Sequence, residues 1–477
     1  MFKVKINKYT ALLAICLAAA GCKIPEITSP VATKPMPDSF GKSTDSLNIA
    51  NKSWRDYFTD KNLISLIDTA LKNNQELSVT LQDVQIAKNE VAFRTRDLSP
   101  TVGYRVGAGV EKVGRYTSQG AGDATTEIAP GKEFPDPLTD YAASLNANWE
   151  VDIWRKLHNA KKAAVTRYLA SVEGKNFVLT NLIAEVANSY YELLALDNQL
   201  AIVKQNIKLQ ENALEIVKVQ KEATRVTELA VQKFKAEVLN SKGLEFDILQ
   251  QTKETENRIN LLLGRYPQEV LRDRNDFTTI MPTMVSSGIP SQLLANRPDI
   301  KQAELELAAA KLDVKVARAE FYPSFGISAA LGFQAFKPSY LVKLPESMLY
   351  SLAGDLAGPL VNRKGIKAEF YNANLRQLQS MYNYQRVILN AYLEVSTQLS
   401  NIDNLQKSYA LKSQEVDALT KSIDISNDLF KSSRADYLEV LMTQRDALSS
   451  KLELIETKKK QLNAVTDIYK NLGGGWR

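Results

Sequence analysis

Histidine is almost absent: His158 is the only one in 477 residues. Without a second imidazole the chain has no histidine-based catalytic triad and no histidine-rich metal cluster. Cysteine is as scarce, with Cys16 inside an N-terminal leader and Cys22 at its end. A chain cut before Cys22 therefore has one thiol and no internal disulfide, even in an oxidising compartment. No run of Lys and Arg and no basic patch interleaved with aromatics occurs, which argues against nucleic-acid binding. The excess of positive charge is also slight. It is +6 overall and +3 without residues 1–21, which hold three lysines and no acids. With 44% hydrophobic and 24% charged residues, the remaining chain can bury a substantial core.

The leader has a positive start, Lys3, Lys5 and Lys8, and a short apolar run from Ala11 to Ala20. That run is a signal-peptide core, too short to span a bilayer. Ala19-Ala20-Gly21-Cys22 resembles a bacterial lipobox, with Ala19 where Leu is usual. The resemblance implies that residues 1–21 are a lipoprotein signal peptide and that Cys22 becomes the acylated first residue. Lys23 after it, rather than Asp, is similar to outer-membrane sorting. Residues 22–61 form the N-terminal tether, rich in Pro, Ser and Thr from 24 on, and Trp54, Tyr57 and Phe58 should dock its end.

A duplication organises the rest. A shift of 223 residues lays Asn73 on Asn296, Ala87-Lys88 on Ala310-Lys311, Val91 on Val314, Pro100 on Pro323 and Gly103 on Gly326. A shift of 208 lays Arg155-Lys156 on Arg363-Lys364. Two long equivalent halves follow, not a short-period solenoid. The first repeat is 62–264, with a hairpin about 98–153, a long helix about 155–222 and a return helix about 227–262. A linker, 265–291, joins it to the second, 292–472, with a hairpin about 322–362, a long helix about 363–431 and a return helix about 435–472. Residues 473–477 form a tail whose Gly473-Gly474-Gly475 reads as a flexible turn, with no Lys or following helix to make a phosphate cradle.

At Pro100 the pattern changes from helical to alternating. Val102, Tyr104, Val106, Ala108 and Val110 alternate with Gly103, Arg105, Gly107 and Gly109. Tyr141, Ala143, Leu145, Ala147, Trp149 and Val151 alternate with polar residues, and Phe325, Ile327, Ala329, Leu331 and Phe333 repeat the pattern. Strands of about ten residues with one apolar and one polar face suit a transmembrane β-barrel, and Trp149 and Trp154 an interfacial girdle. A soluble sandwich edge has the same period. The connection 114–140 is polar and too long for a tight turn.

No proline interrupts Arg155 to Glu222, so one helix of roughly 100 Å is expected there. Its heptad seam runs Leu193, Leu196, Leu200, Val203, Ile207, Gln210, Leu214, Val217, and Ile402 to Phe430 repeats the spacing. Helices over 62–97 and 292–321, about 54 and 45 Å, would stack with the return helices beside the long ones, giving a rod about 100 Å long with four strands at one end. Four strands cannot close a barrel, eight fill theirs with side chains, and twelve leave a lumen, so a conduit favours three copies.

Asn296-Arg297-Pro298-Asp299-Ile300 with Ala303-Glu304, Phe321-Tyr322-Pro323-Ser324, Trp149-Glu150-Val151-Asp152 and the ending Leu472-Gly473-Gly474-Gly475-Trp476 all resemble the TolC-like outer membrane efflux proteins, most closely the lipidated OprM-type branch. The resemblance implies a mainly α fold with a β-barrel portion: a homotrimeric twelve-stranded outer-membrane barrel, four strands per chain, continuing into a long periplasmic α-helical barrel. It implies an outer-membrane lipoprotein that passively conducts substrates handed on by a periplasmic adaptor and an inner-membrane pump of RND type. Type I protein secretion is the alternative within this class. A coiled-coil adaptor or structural lipoprotein, and a surface adhesin, are the alternatives outside it. No cofactor or metal is called for, and an enzyme is disfavoured. Arg297-Pro298-Asp299 reads as a helix start, with Asn296 as cap, and Glu304 and Glu306 as a solvated face.

The periplasmic gate is expected where the long helices turn back, at Glu222–Leu229 and Lys431–Leu438. By its position in the family Glu439 belongs to an acidic ring, while Met442 stands where a second acid is often found and Phe430 near a latch tyrosine. The turn glycines of the family are replaced around Thr224-Arg225 and Ser432-Ser433, so Arg225, Glu228, Arg434 and Asp436 are the expected links between turns.

Overall fold

The computed structural model describes residues 35–40, 47–273, 277, 279–280, 286–358, 363–432 and 434–477. The leader, Cys22 and Ser433 lie outside these. The chain divides into two compact units, the first containing Ile86–Leu169 and Leu305–Tyr382, the second Ala32–Gln85, Ala170–Glu304 and Asn383–Arg477. No helix among the described residues is long and apolar enough to cross a membrane.

The first unit holds one antiparallel sheet of β1 (Thr101–Glu111), β2 (Leu138–Val151), β3 (Ser324–Ala335) and β4 (Met348–Ala357), in that order. The two repeats meet where β2 pairs with β3. Their register aligns like with like. Val102, Ala147, Ala329 and Leu352 form one cross-strand row, and Tyr104, Leu145, Leu331 and Tyr350 the next. On the other face Gly103, Asn146, Ala330 and Ser351 are in line, as are Thr101, Asn148, Ser328 and Ala353. Because side chains alternate, this register makes one continuous apolar face and one polar, small-residue face. Val102, Tyr104, Val106, Tyr350 and Leu352 are all more than two-thirds exposed. Among the described residues no strand pairs with the outer edges of β1 and β4, a liability that isolated proteins avoid and assemblies use.

The loop between β1 and β2 is polar but folded, with a helical turn at Ser118–Asp123 and a small hairpin of Glu127–Ala129 and Lys132–Glu133. At the other end of the sheet Trp154 stacks on Tyr322 and donates to the Pro323 carbonyl at 2.7 Å. Trp149 donates to the Leu98 carbonyl at 3.1 Å.

In the helices, α1 (Lys61–Asn73) and α2 (Gln75–Arg96) replace the single helix expected over 62–97. The chain breaks at Asn74, and at the equivalent Arg297 between the turn Gln292–Asn296 and α5 (Pro298–Ala319). The causes differ. Asn74 accepts from the Leu77 N–H at 2.9 Å and so caps α2, while Arg297 precedes proline, whose ring disfavours helical backbone in the residue before it. Asn296 is therefore not the cap of α5. It ends the preceding turn, its carbonyl accepts from Trp476 at 3.0 Å and its side chain from Arg477 at 2.9 Å.

α3 (Lys156–Glu222) and α6 (Lys364–Lys431) have 67 and 68 residues, and the return helices α4 (Glu228–Leu262) and α7 (Tyr437–Asn471) 35 each. α4 and α7 end alike. Gly264 (φ 65°) and Gly473 (φ 91°) each close a paired hydrogen-bond cap, and a Cβ on them would stand 2.3 Å from the Asn73 carbonyl oxygen and 2.6 Å from the Asn296 carbonyl. Each return helix thus seats its cap on the break in its own repeat. The Gly-rich tail is correspondingly buried and docked, not the flexible turn expected, because its glycines serve close backbone approach.

The core of the second unit gathers Ile67, Ile183, Tyr190, Leu193, Ile259, Leu293 and Ile468. Trp54, Tyr57 and Phe58 are buried against it, Tyr57 stacking on Tyr469 at 4.0 Å and donating to the Val465 carbonyl at 2.6 Å. The two long helices use their seams differently. That of α3 is buried from Leu193 to Val217 apart from half-buried Leu200, whereas most of that of α6 is half-buried and meets α7 through polar contacts. Lys412 pairs with Glu453, Ser450 donates to Glu415 at 2.7 Å, and Gln461 donates to the Leu405 carbonyl at 3.1 Å.

Candidate gate at the helical turns

Two turns join the helix pairs of the second unit. The α3–α4 turn closes with Thr224 donating to the Lys221 carbonyl and Arg225 to the Gln220 carbonyl, both at 2.9 Å. This cap needs a left-handed residue, and Thr224 takes it with φ 58°. A β-branched residue is strained there. Thr224→Gly should therefore stabilise the solubilised protein by about 1 kcal/mol in thermal unfolding, with Thr224→Ala gaining little. Equal effects of the two would deny the strain. In the α6–α7 turn Arg434 donates to the Leu429 carbonyl at 2.8 Å and Ser432 to the Asp428 carbonyl at 3.1 Å.

An apolar cluster anchors both turns: Leu214, Val217, Val231, Phe234, Val238 and Val440, with Phe430 and Tyr437 packed against it. Phe430 thus serves packing. The polar side chains point outward, and Arg225, Glu228, Arg434, Asp436 and Glu439 are all exposed. Glu228 is held by Lys221 across its own turn and accepts from Gln232 at 2.6 Å. The Lys221 hydrogen bond, then that of Gln232, keeps its carboxyl below the usual range. Lys221 was not among the expected links; it lies seven residues before Glu228, with a turn between them. No ion pair within the chain joins Arg225, Arg434, Asp436 or Glu439 to one another among the described residues. Met442 is half exposed.

The pattern that defines the family described as "Outer membrane efflux protein" matches residues 66–265 and 289–474. The chain is 29% identical to the pyoverdine export outer membrane protein OpmQ of Pseudomonas aeruginosa, over 89% of this chain and 88% of the relative. It is 27% identical to the probable outer membrane lipoprotein SilC of Salmonella typhimurium, over the whole of both. Among solved structures, CusC superposes with a TM-score of 0.81 at 23% identity, covering 95% of this chain and 100% of CusC. The open-state MtrE channel of Neisseria gonorrhoeae gives 0.81 at 22%, covering 95% and 98%. The duplicated helix pairs, the four-stranded sheet and the matched pattern over both repeats make this chain a member of the outer membrane efflux protein family.

Proposed function

We infer that the protein is the outer-membrane exit duct of a tripartite efflux system, a passive conduit with a large periplasmic portion. The observation that carries this is the sheet: apolar rows run unbroken across four strands, and no strand among the described residues covers either outer edge. Three copies supply twelve strands, enough to close a barrel around a lumen. Lipid then covers the apolar face, and the polar face lines the pore. A periplasmic adaptor and an inner-membrane pump, RND-type by the resemblance to the lipidated OprM-type branch, deliver the substrate.

Cys22 is the lipid anchor in this reading, supported by the leader and by the likeness to a named lipoprotein. Metabolic palmitate should label the wild type and not Cys22→Ser. Equal labelling would remove the anchor.

The turns are the gate. Arg225, Arg434 and Asp436 are exposed and unpaired with one another within the chain, and so are available to neighbouring copies. An exposed pair contributes only about 0–1 kcal/mol, but three equivalent sets act on one closed state together. Glu439 near its two symmetry mates favours cations in the constriction. In planar bilayers Arg434→Ala should raise single-channel conductance, and Glu439→Gln should weaken cation selectivity. Unchanged currents in both would place the gate elsewhere.

A further inference from the structure

The seam of α3 contains one polar residue, and it is the most deeply buried kind. Gln210 is 0% exposed, and neither its Nε2 nor its Oε1 finds a hydrogen-bond partner among the described residues. Asn206 one turn earlier, Ser241 of α4 and Gln444 of α7 are 8%, 1% and 3% exposed, and each also has an unpartnered buried atom.

These residues form a layer. Toward the turns lies the apolar cluster of Leu214, Val238 and Val440; away from them lies a second, with Ile207, Ile248 and Leu448. Gln210 of α3, Ser241 of α4 and Gln444 of α7 each fall between a member of one cluster and a member of the other, and Asn206 stands next to Ile207 at the edge of the second. The duplication gives an independent reason to bring Asn206 and Ser241 together. In the second half of each repeat the equivalent positions differ by 209, which carries Asn206 to Glu415 and Ser241 to Ser450. In the second repeat these two are bonded, Ser450 Oγ to Glu415 Oε1 at 2.7 Å. In the first, the corresponding atoms Asn206 Nδ2 and Ser241 Oγ are unsatisfied.

We propose that Asn206, Gln210, Ser241 and Gln444 are a built-in break in the helical unit, at which the turn-bearing ends of α3, α4 and α7 loosen as one body while the seam from Leu193 to Val203 stays packed. The physical reason is asymmetry of cost. Parting the apolar clusters exposes apolar surface to water, whereas parting the polar layer lets water satisfy donors and acceptors that the packed state leaves bare. Local opening therefore stops at this layer. If the turns are the gate, the layer sets how far along the helices its movement reaches; that functional arm rests on the reading above, and the break itself does not.

The experiment is hydrogen exchange by mass spectrometry on the full-length protein in detergent, with bilayer recordings in parallel. Wild-type amides of 211–240 and 437–443 should exchange faster than those of 193–203, with the step at the layer. Gln210→Leu combined with Gln444→Leu, which continues the apolar seam, should slow exchange of the turn-side segments by about tenfold and make openings rarer. Gln210→Met alone, which keeps the side chain's length, should move exchange in the same direction if the double variant does not fold. A wild type with no step at the layer, or variants whose turn-side exchange is not slowed, would overturn the break. Slowed exchange with unchanged currents would uphold it and remove the gate from these turns.

Discussion

Arg272→Met should cost about 3–5 kcal/mol of stability, although the residue sits in a linker and touches neither the sheet nor the turns. Its guanidinium is 3% exposed and ties three elements together. It bonds Asp197 of α3 through Nε at 2.5 Å and Nη2 at 3.0 Å, Glu256 of α4 at 2.8 Å, and the Val270 carbonyl at 2.9 Å. Asp197 and Glu256 are themselves 7% and 12% exposed, so removing the cation leaves two carboxylates in a site that water barely reaches. The loss belongs to the two carboxylates left without their buried cation more than to the bonds. The triple variant Arg272→Met, Asp197→Leu, Glu256→Met should accordingly recover most of it, because an apolar replacement of a buried ion cluster is often neutral. Thermal unfolding of the two variants separates the cases. A triple variant as unstable as the single one would mean that the bonds themselves, not the two carboxylates left without the Arg272 cation, carry the stability.

Leu145→Arg is the second change of this size. Leu145 stands in the row Tyr104, Leu145, Leu331, Tyr350, near the middle of the sheet's apolar face, and is more than half exposed in the single chain. With lipid over that face, Arg there should cost about 2–4 kcal/mol per copy, whereas Arg at the neighbouring Asn146, on the polar face, should be tolerated. Refolding yield and unfolding midpoint in lipid vesicles measure the contrast. Equal tolerance at the two sites would sink the assignment of the faces.

Much of this was present in one dimension because the features are periodic or repeated. The alternation of Val102, Tyr104 and Val106 names a face without any coordinates, since successive strand side chains must point oppositely. The heptad seam from Leu193 to Val217 likewise names the side of α3 that is buried, as the structure bears out at every position except half-buried Leu200. The membership of the family and the exit-duct function followed from such patterns and from short motifs at fixed places in both repeats. Close approach, in contrast, has no sequence period. Gly473 reads as a flexible turn until the carbonyl of Asn296 is seen where a Cβ would stand, and nothing along the chain marks Gly264 as seated in the same way on the Asn73 carbonyl. Asn74 reads as a helical residue until its side chain is seen capping α2. Glu228 takes Lys221 as partner rather than a more distant arginine because the strained Thr224 cap folds the chain back over its own last turn. Gln210 marks the same limit from the other side: the heptad fixes that it is buried, but only the neighbouring helices decide that its amide meets no partner among the described residues. Spacing along a chain determines which way a side chain points, and three-dimensional packing alone determines what it meets there.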